Sequence, residues 1–176
     1  SLHDALPISA GLLPVAGIGT AAVHAEDNPD LIWDIPADGQ WPTMEEIKAK
    51  SWIVYDRKTD QVVIESKADE ILFPASTTKI MTAVLAIESG DMERKLTASH
   101  TAVNLTSASS KVGFIAGEEV AMRDVIAGLM VASGNDAANM IAESLAGSKE
   151  GFAVMMNNKA KKIGMKNSFF CNPSGL

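Results

Sequence analysis

Two runs rich in β-branched and aromatic residues, Ser51–Asp56 (SWIVYD) and Gln61–Glu65 (QVVIE), precede every helical pattern in the chain. The link between them, Arg57-Lys58-Thr59-Asp60, is short and polar, so the spacing predicts a β-hairpin. Beyond it the periodicity is mainly helical. Ser76–Ser89 follows Pro74-Ala75, with Ile80, Val84, Leu85 and Ile87 as its expected apolar face and Gly90 as its stop. Lys95–Ser99 predicts a short strand, Ala116-Gly117-Glu118-Glu119 a turn, and Met122–Ala132 a second long helix. Ser133-Gly134-Asn135 breaks that helix and Asp136–Leu145 resumes as another. Ser148 then caps a further helix that ends near Ile163, before Gly164. Strands come first and helices follow, without β-α-β alternation. That order predicts an α+β fold.

A chain of 176 residues with 47% hydrophobic residues can bury a core, which excludes wholesale disorder. Its net charge of −7 leaves no basic footprint for nucleic acid. Cys171 is the single cysteine, so neither an internal disulfide framework nor a cysteine-rich zinc site is available. The acidic balance suggests solubility and identifies no partner. The nine methionines, Met155-Met156 among them, read as core filler.

The first 46 residues read differently. Ala10–Ala22 (AGLLPVAGIGTAA) is a short apolar run of small residues, and Val23-His24-Ala25 presents the small residues that a signal peptidase accepts. Residues 10–25 are therefore expected to be a signal-peptide remnant cleaved after Ala25. Ser1–Ser9 (SLHDALPIS) lacks the Met and basic segment that should open a signal peptide, and it resembles the translation of a sequencing-adapter oligonucleotide. Residues 26–46 carry Pro29, Pro36 and Pro42 without a sustained period, which predicts an extended leader, with Trp33 and Trp41 available to pin it. The catalytic region is then expected within residues 47–176.

Histidine is scarce. His3 and His24 fall in the leading segment, and His100 sits in a polar stretch (TASHTAVN) that reads as a solvated loop. No pair of histidines has metal-ligand spacing, so a nucleophile here needs another base and no metal or cofactor is expected. Ser76-Thr77-Thr78-Lys79 offers that base. A serine opening a helix and a lysine three residues on share one face, and a buried amine at the positive end of the helix has its charged form disfavoured. The serine's own N–H can help to hold an oxyanion. With 15 serines and 12 lysines, about one S-x-x-K is expected by chance, so the spacing alone decides nothing. An N-capping serine followed by a solvated lysine is the plain alternative. Ser133-Gly134-Asn135, between two helices, is equally weak alone, as a helix stop followed by a cap.

Order and setting of the two motifs change that. Pro74-Ala75-Ser76-Thr77-Thr78-Lys79-Ile80-Met81-Thr82-Ala83 resembles the nucleophile segment of serine-type D-alanyl-D-alanine carboxypeptidases, the low-molecular-mass penicillin-binding proteins. Ser133-Gly134-Asn135-Asp136-Ala137-Ala138-Asn139 resembles their second motif. The hairpin ending Glu65-Ser66-Lys67-Ala68-Asp69, the Ala116-Gly117-Glu118 turn and Asn172-Pro173-Ser174-Gly175-Leu176 also fit, so the resemblance runs from about Ser51 to Leu176. Class A β-lactamases share the pattern but usually carry S-D-N, so Gly134 favours the peptidase.

The resemblance implies a serine β-lactamase/DD-peptidase-like fold, an antiparallel sheet flanked by helices. It implies Ser76 as acyl-enzyme nucleophile, Lys79 as general base, Ser133 as the group passing a proton to the leaving amine, and Asn135 as a substrate-amide contact that also orients Lys79. The implied substrate is a peptidoglycan stem peptide ending in D-Ala-D-Ala, with β-lactams as inhibitors. The implied location is outside the bacterial cytoplasmic membrane, with attachment to its surface through a C-terminal region. The family's third motif, Lys-Thr/Ser-Gly on a strand, does not occur downstream of Asn135: Lys58-Thr59-Asp60 precedes Ser76, and Lys111-Val112-Gly113 lacks the hydroxyl. Residues 47–176 are accordingly expected to be the N-terminal part of such a domain. A β-lactamase, a DD-endopeptidase and a non-catalytic cell-wall binding fragment stand as alternatives.

Overall fold

The computed structural model describes residues 47–176, so the adapter-like segment, the signal-peptide remnant and the extended leader lie outside the described residues. The chain divides into two compact units, one ending at Ile71 and the other spanning Leu72–Leu176.

In the first unit, β1 (Trp52–Asp56) and β2 (Gln61–Ser66) form the expected antiparallel hairpin. Register runs from Trp52 opposite Ser66 to Val54 opposite Ile64, then shifts so that Tyr55 faces Val62. Val63 is the extra residue, a β-bulge that sharpens the twist. Asp56 builds the turn: its carboxylate accepts from Lys58 N (2.8 Å) and Thr59 Oγ1 (2.7 Å), and those bonds hold its pKa below the ordinary value. Asp60 closes the turn with φ 58°, a left-handed conformation that aspartate tolerates better than most residues. Tyr55 donates its hydroxyl to Asp60, which raises the phenol's pKa.

The second unit is helical around a minor sheet. After a 3-10 turn at Ala75–Thr78 come α1 (Lys79–Glu88), β3 (Lys95–Thr97), α2 (His100–Val103), β4 (Glu119–Ala121), α3 (Met122–Val131), α4 (Asn135–Ala146) and α5 (Lys149–Lys162). β3 and β4 pair antiparallel, Lys95 opposite Ala121. The fold is α+β, as the order of patterns predicts.

Helix α4 is the hub. Asn135 to Ala142 are all buried, and the helix packs against α1, α2, α3 and α5. Around it Leu96, Met122, Val125, Leu129, Met140, Ile141, Phe152 and Met156 form the core, each 2% exposed or less. Three of these are methionines, consistent with the expected filler role. Ser148 caps α5 as predicted, accepting from Gly151 N at 2.9 Å, and Gly147 (φ 75°) closes α4 in the left-handed conformation. No helix among the described residues is long and apolar enough to cross a membrane.

Four details differ from the sequence expectation. The first helix opens with a 3-10 turn rather than α-helix, because Pro74's carbonyl accepts from both Thr77 N (3.1 Å) and Thr77 Oγ1 (2.8 Å). Its buried residues are Lys79, Met81, Thr82, Ala83 and Ala86; of the expected apolar face Val84 and Leu85 are half-buried, Leu85 against the core, while Ile80 and Ile87 are exposed. Glu119 begins strand β4 instead of ending a turn. His100 opens the short helix α2, capped by Ser99 Oγ accepting from Ala102 N (2.9 Å), and stays exposed.

Candidate active site

The turn before α1 aims the nucleophile. Ala75 sits at φ 48°, a left-handed conformation that alanine's Cβ disfavours, and the chain reverses there. Ser76 is left exposed, while Thr78 and Lys79 are driven inward. Strain of this kind persists only where the surroundings impose it, and it clusters at functional sites.

Lys79 is 2% exposed and forms no ion pair among the described residues. It donates to Ser76 Oγ (3.0 Å) and to the Ser174 carbonyl oxygen (3.1 Å). Burial lowers its pKa from the ordinary lysine value, because the ammonium loses hydration and gains no counter-charge. Once neutral, the amine has a lone pair at hydrogen-bonding distance from the serine hydroxyl. A reachable nucleophile, an adjacent base and a group orienting that base together satisfy the geometry of nucleophilic catalysis.

The Ser174 carbonyl is a partner the sequence reading missed. The last five residues form a tight turn along the buried stripe of α1. Pro173's carbonyl accepts from Thr82 Oγ1 (2.7 Å), one helical turn beyond Lys79. Asn172-Pro173-Ser174-Gly175-Leu176 stood out as a motif, but nothing in its residue types announces that a backbone carbonyl is its contribution.

The second motif sits at the start of α4. Ser133 is half-buried with φ 52°, again left-handed. Asn135 is anchored at both ends: its N–H donates to the Ser110 carbonyl (2.9 Å) and its Nδ2 to Ser109 Oγ (2.8 Å). Its Oδ1 is buried without a hydrogen-bond partner. The carbonyl that Lys79 hydrogen-bonds here is that of Ser174, 3.1 Å from Nζ. The structure thus brings Ser76 and Lys79 into direct contact, whereas Ser133 and Asn135 are not among the hydrogen-bond partners of Lys79. A cavity of about 140 Å³ lies beside this motif, with Asn135, Asn139, Asn172 and Ser174 in its wall.

Asp136 holds the neighbouring loop. Its carboxylate accepts from the N–H groups of Val112 (2.9 Å), Gly113 (2.8 Å) and Phe114 (3.3 Å). This brings the loop over Gly134, where an added Cβ would come within 2.6 Å of Val112 Cγ2 and 2.8 Å of Asp136 Oδ1. Glycine in the middle of the motif has a steric reason. Cys171 is free and exposed.

A Ser/Lys pair in contact at the start of a helix, beside a Ser-Gly-Asn turn, is an arrangement that acyl transfer by a serine with an amine base could use. Comparison narrows it. Residues 38–176 match the D-alanyl-D-alanine carboxypeptidase family, and the chain belongs to that family. It is 40% identical over 134 residues to D-alanyl-D-alanine carboxypeptidase DacF of Bacillus subtilis, covering 73% of this chain and 34% of that protein. Its fold is similar to that of D-alanyl-D-alanine carboxypeptidase DacD from Francisella tularensis (TM-score 0.70, 34% identity), covering 85% of this chain and 38% of that one. Penicillin binding protein 6B from Escherichia coli is similar too (TM-score 0.70, 33% identity), with 81% of this chain and 47% of that one covered. The chain therefore spans between a third and a half of the length of these relatives.

Proposed function

We propose that this chain carries the nucleophile and general base of a serine-type D-Ala-D-Ala carboxypeptidase, which removes the terminal D-alanine from peptidoglycan stem peptides. The observation that carries the reading is the 3.0 Å contact between exposed Ser76 and a buried Lys79 that has no ion-pair partner among the described residues. Neutral Lys79 takes the Ser76 proton as Oγ attacks the carbonyl carbon of the terminal D-Ala-D-Ala bond. The oxyanion forms next to the Ser76 N–H, at the opening turn of the helix. As the tetrahedral intermediate collapses, the C–N bond breaks and the leaving amine needs a proton. Ser133 relays it from protonated Lys79. Asn135 offers its amide to the peptide backbone of the acyl group. Water then attacks the ester, Lys79 again accepting a proton, and Ser76 is regenerated.

In this reading β-lactams acylate the same serine, and the enzyme works outside the bacterial cytoplasmic membrane, carried there by a signal peptide ending near Ala25. The name of one relative, penicillin binding protein 6B, supports the first statement, and the apolar run Ala10–Ala22 ahead of Val23-His24-Ala25 supports the second. The test uses the full-length product of the reading frame that contains this chain. It is expected to release D-alanine from a D-Ala-D-Ala peptide and to be labelled by a fluorescent penicillin, and Ser76→Ala is expected to lose both. Labelling that survives Ser76→Ala would overturn the assignment. Faster hydrolysis of a penicillin than of the peptide would make it a β-lactamase, and cleavage of cross-linked rather than terminal D-alanine an endopeptidase.

A further inference from the structure

We infer that the turn Asn172–Gly175 is a positioning device for the base, with Asn172 and Gly175 as its determinants, acting on Lys79 through the Ser174 carbonyl. The inference rests on the reading of Lys79 as the general base and adds two residues that touch neither Ser76 nor the reacting atoms.

A neutral lysine amine has two N–H bonds and one lone pair, and it rotates freely about Cε–Nζ unless something fixes it. The Ser174 carbonyl, 3.1 Å from Nζ, takes one N–H. With that hydrogen fixed, one of the remaining positions on nitrogen faces Ser76 Oγ at 3.0 Å, and the lone pair can occupy it. The carbonyl's own position then decides how well the base is aimed.

That position is built by side-chain and backbone groups around it. Asn172 Oδ1 accepts from Ser174 N (3.0 Å), Gly175 N (2.6 Å) and Ser174 Oγ (3.3 Å), while its Nδ2 donates to the Leu176 carbonyl (2.9 Å). One carboxamide therefore gathers the whole turn. Gly175 adopts φ 78°, and a Cβ added there would overlap the Ala75 carbonyl outright and lie 2.7 Å from Thr78 Oγ1. Ala75 is the left-handed residue that aims Ser76. Glycine at 175 thus lets one turn lie against the nucleophile's turn and the base together, and Thr82 pins the far side through the Pro173 carbonyl.

The test measures acylation by a chromogenic penicillin in the full-length product of the reading frame, separating the encounter constant from the acylation rate constant, with burst amplitude giving the competent fraction. Asn172→Ala and Gly175→Ala are expected to lower the acylation rate constant about 10- to 100-fold, the scale of a misaimed reacting group. The encounter constant is expected to change less than about threefold, because neither side chain is assigned a substrate contact. Asn172→Asp keeps the Oδ1 acceptor and is expected to restore most of the rate. A purely structural role would reduce burst amplitude and leave the rate per competent molecule unchanged, and that result would overturn the proposal. So would an unchanged rate in Asn172→Ala, which places no atom against Ala75 and stays informative if Gly175→Ala does not fold. If neither alanine variant folds, Asn172→Asp decides, since an acylation rate like the wild type's supports the device and a 10-fold loss contradicts it. A wild-type protein that is not acylated at Ser76 would instead reject the underlying assignment of the base.

Discussion

In the proposed role Lys79 has to be neutral to act, and its burial on one face of α1 favours the neutral form. Its pKa is lowered by burial, so the acylation rate should rise with pH as Lys79 deprotonates, with the rising limb below the range of an ordinary lysine. The same shift affects stability. Between the lowered folded pKa and the ordinary unfolded one, the folded chain binds fewer protons, so this group's contribution to stability improves as pH rises through that window. Lys79→Met, which removes the buried amine at similar volume, is expected to leave the denaturant midpoint unchanged or higher. Its acylation rate should fall by about 10²–10⁴. A lower midpoint together with near-normal acylation would show that the amine is a structural group and not a base. Ser76 and Lys79 were legible as residue types at helical spacing. The Ser174 carbonyl was not, since a backbone oxygen ninety-five residues away leaves no mark in composition or period.

At the scale of elements, the loop and helix that present the second motif depend on Asp136. Replacing it with alanine leaves the N–H groups of Val112, Gly113 and Phe114 without their acceptor, at a cost of about 1–3 kcal/mol read by urea denaturation. Phe152→Ala, in the contact of α5 with the core, should cost about 3–5 kcal/mol in the same assay. The hairpin, α3, α4 and the Ser148 cap were readable because alternation, helix stops and capping residues are local signals. The buried face of α1 was readable only in part. Hydrophobic period pointed to Ile80, Val84, Leu85 and Ile87; Leu85 does pack against the core, but the fully buried residues are Lys79, Met81, Thr82, Ala83 and Ala86. Lys79 and Thr82 on that face meet the carbonyls of Ser174 and Pro173, a pairing that hydrophobic period does not register. Strand β4 was lost for a different reason. It follows directly on the turn residues Ala116-Gly117-Glu118 and runs into α3 at Met122, so turn and helix signals bracket its three residues.

For the molecule as a whole, the relatives are two to three times longer than the stretch they share with this chain, and the chain contains no Lys-Thr/Ser-Gly triplet after Asn135. The most direct measurement of the central claim is intact mass and peptide mapping of the full-length product of the reading frame after exposure to a penicillin. The account predicts a single penicilloyl adduct, on the peptide containing Ser76, absent from Ser76→Ala and formed far more slowly in Lys79→Met. An adduct on any other serine, or one that persists in Ser76→Ala, would contradict it.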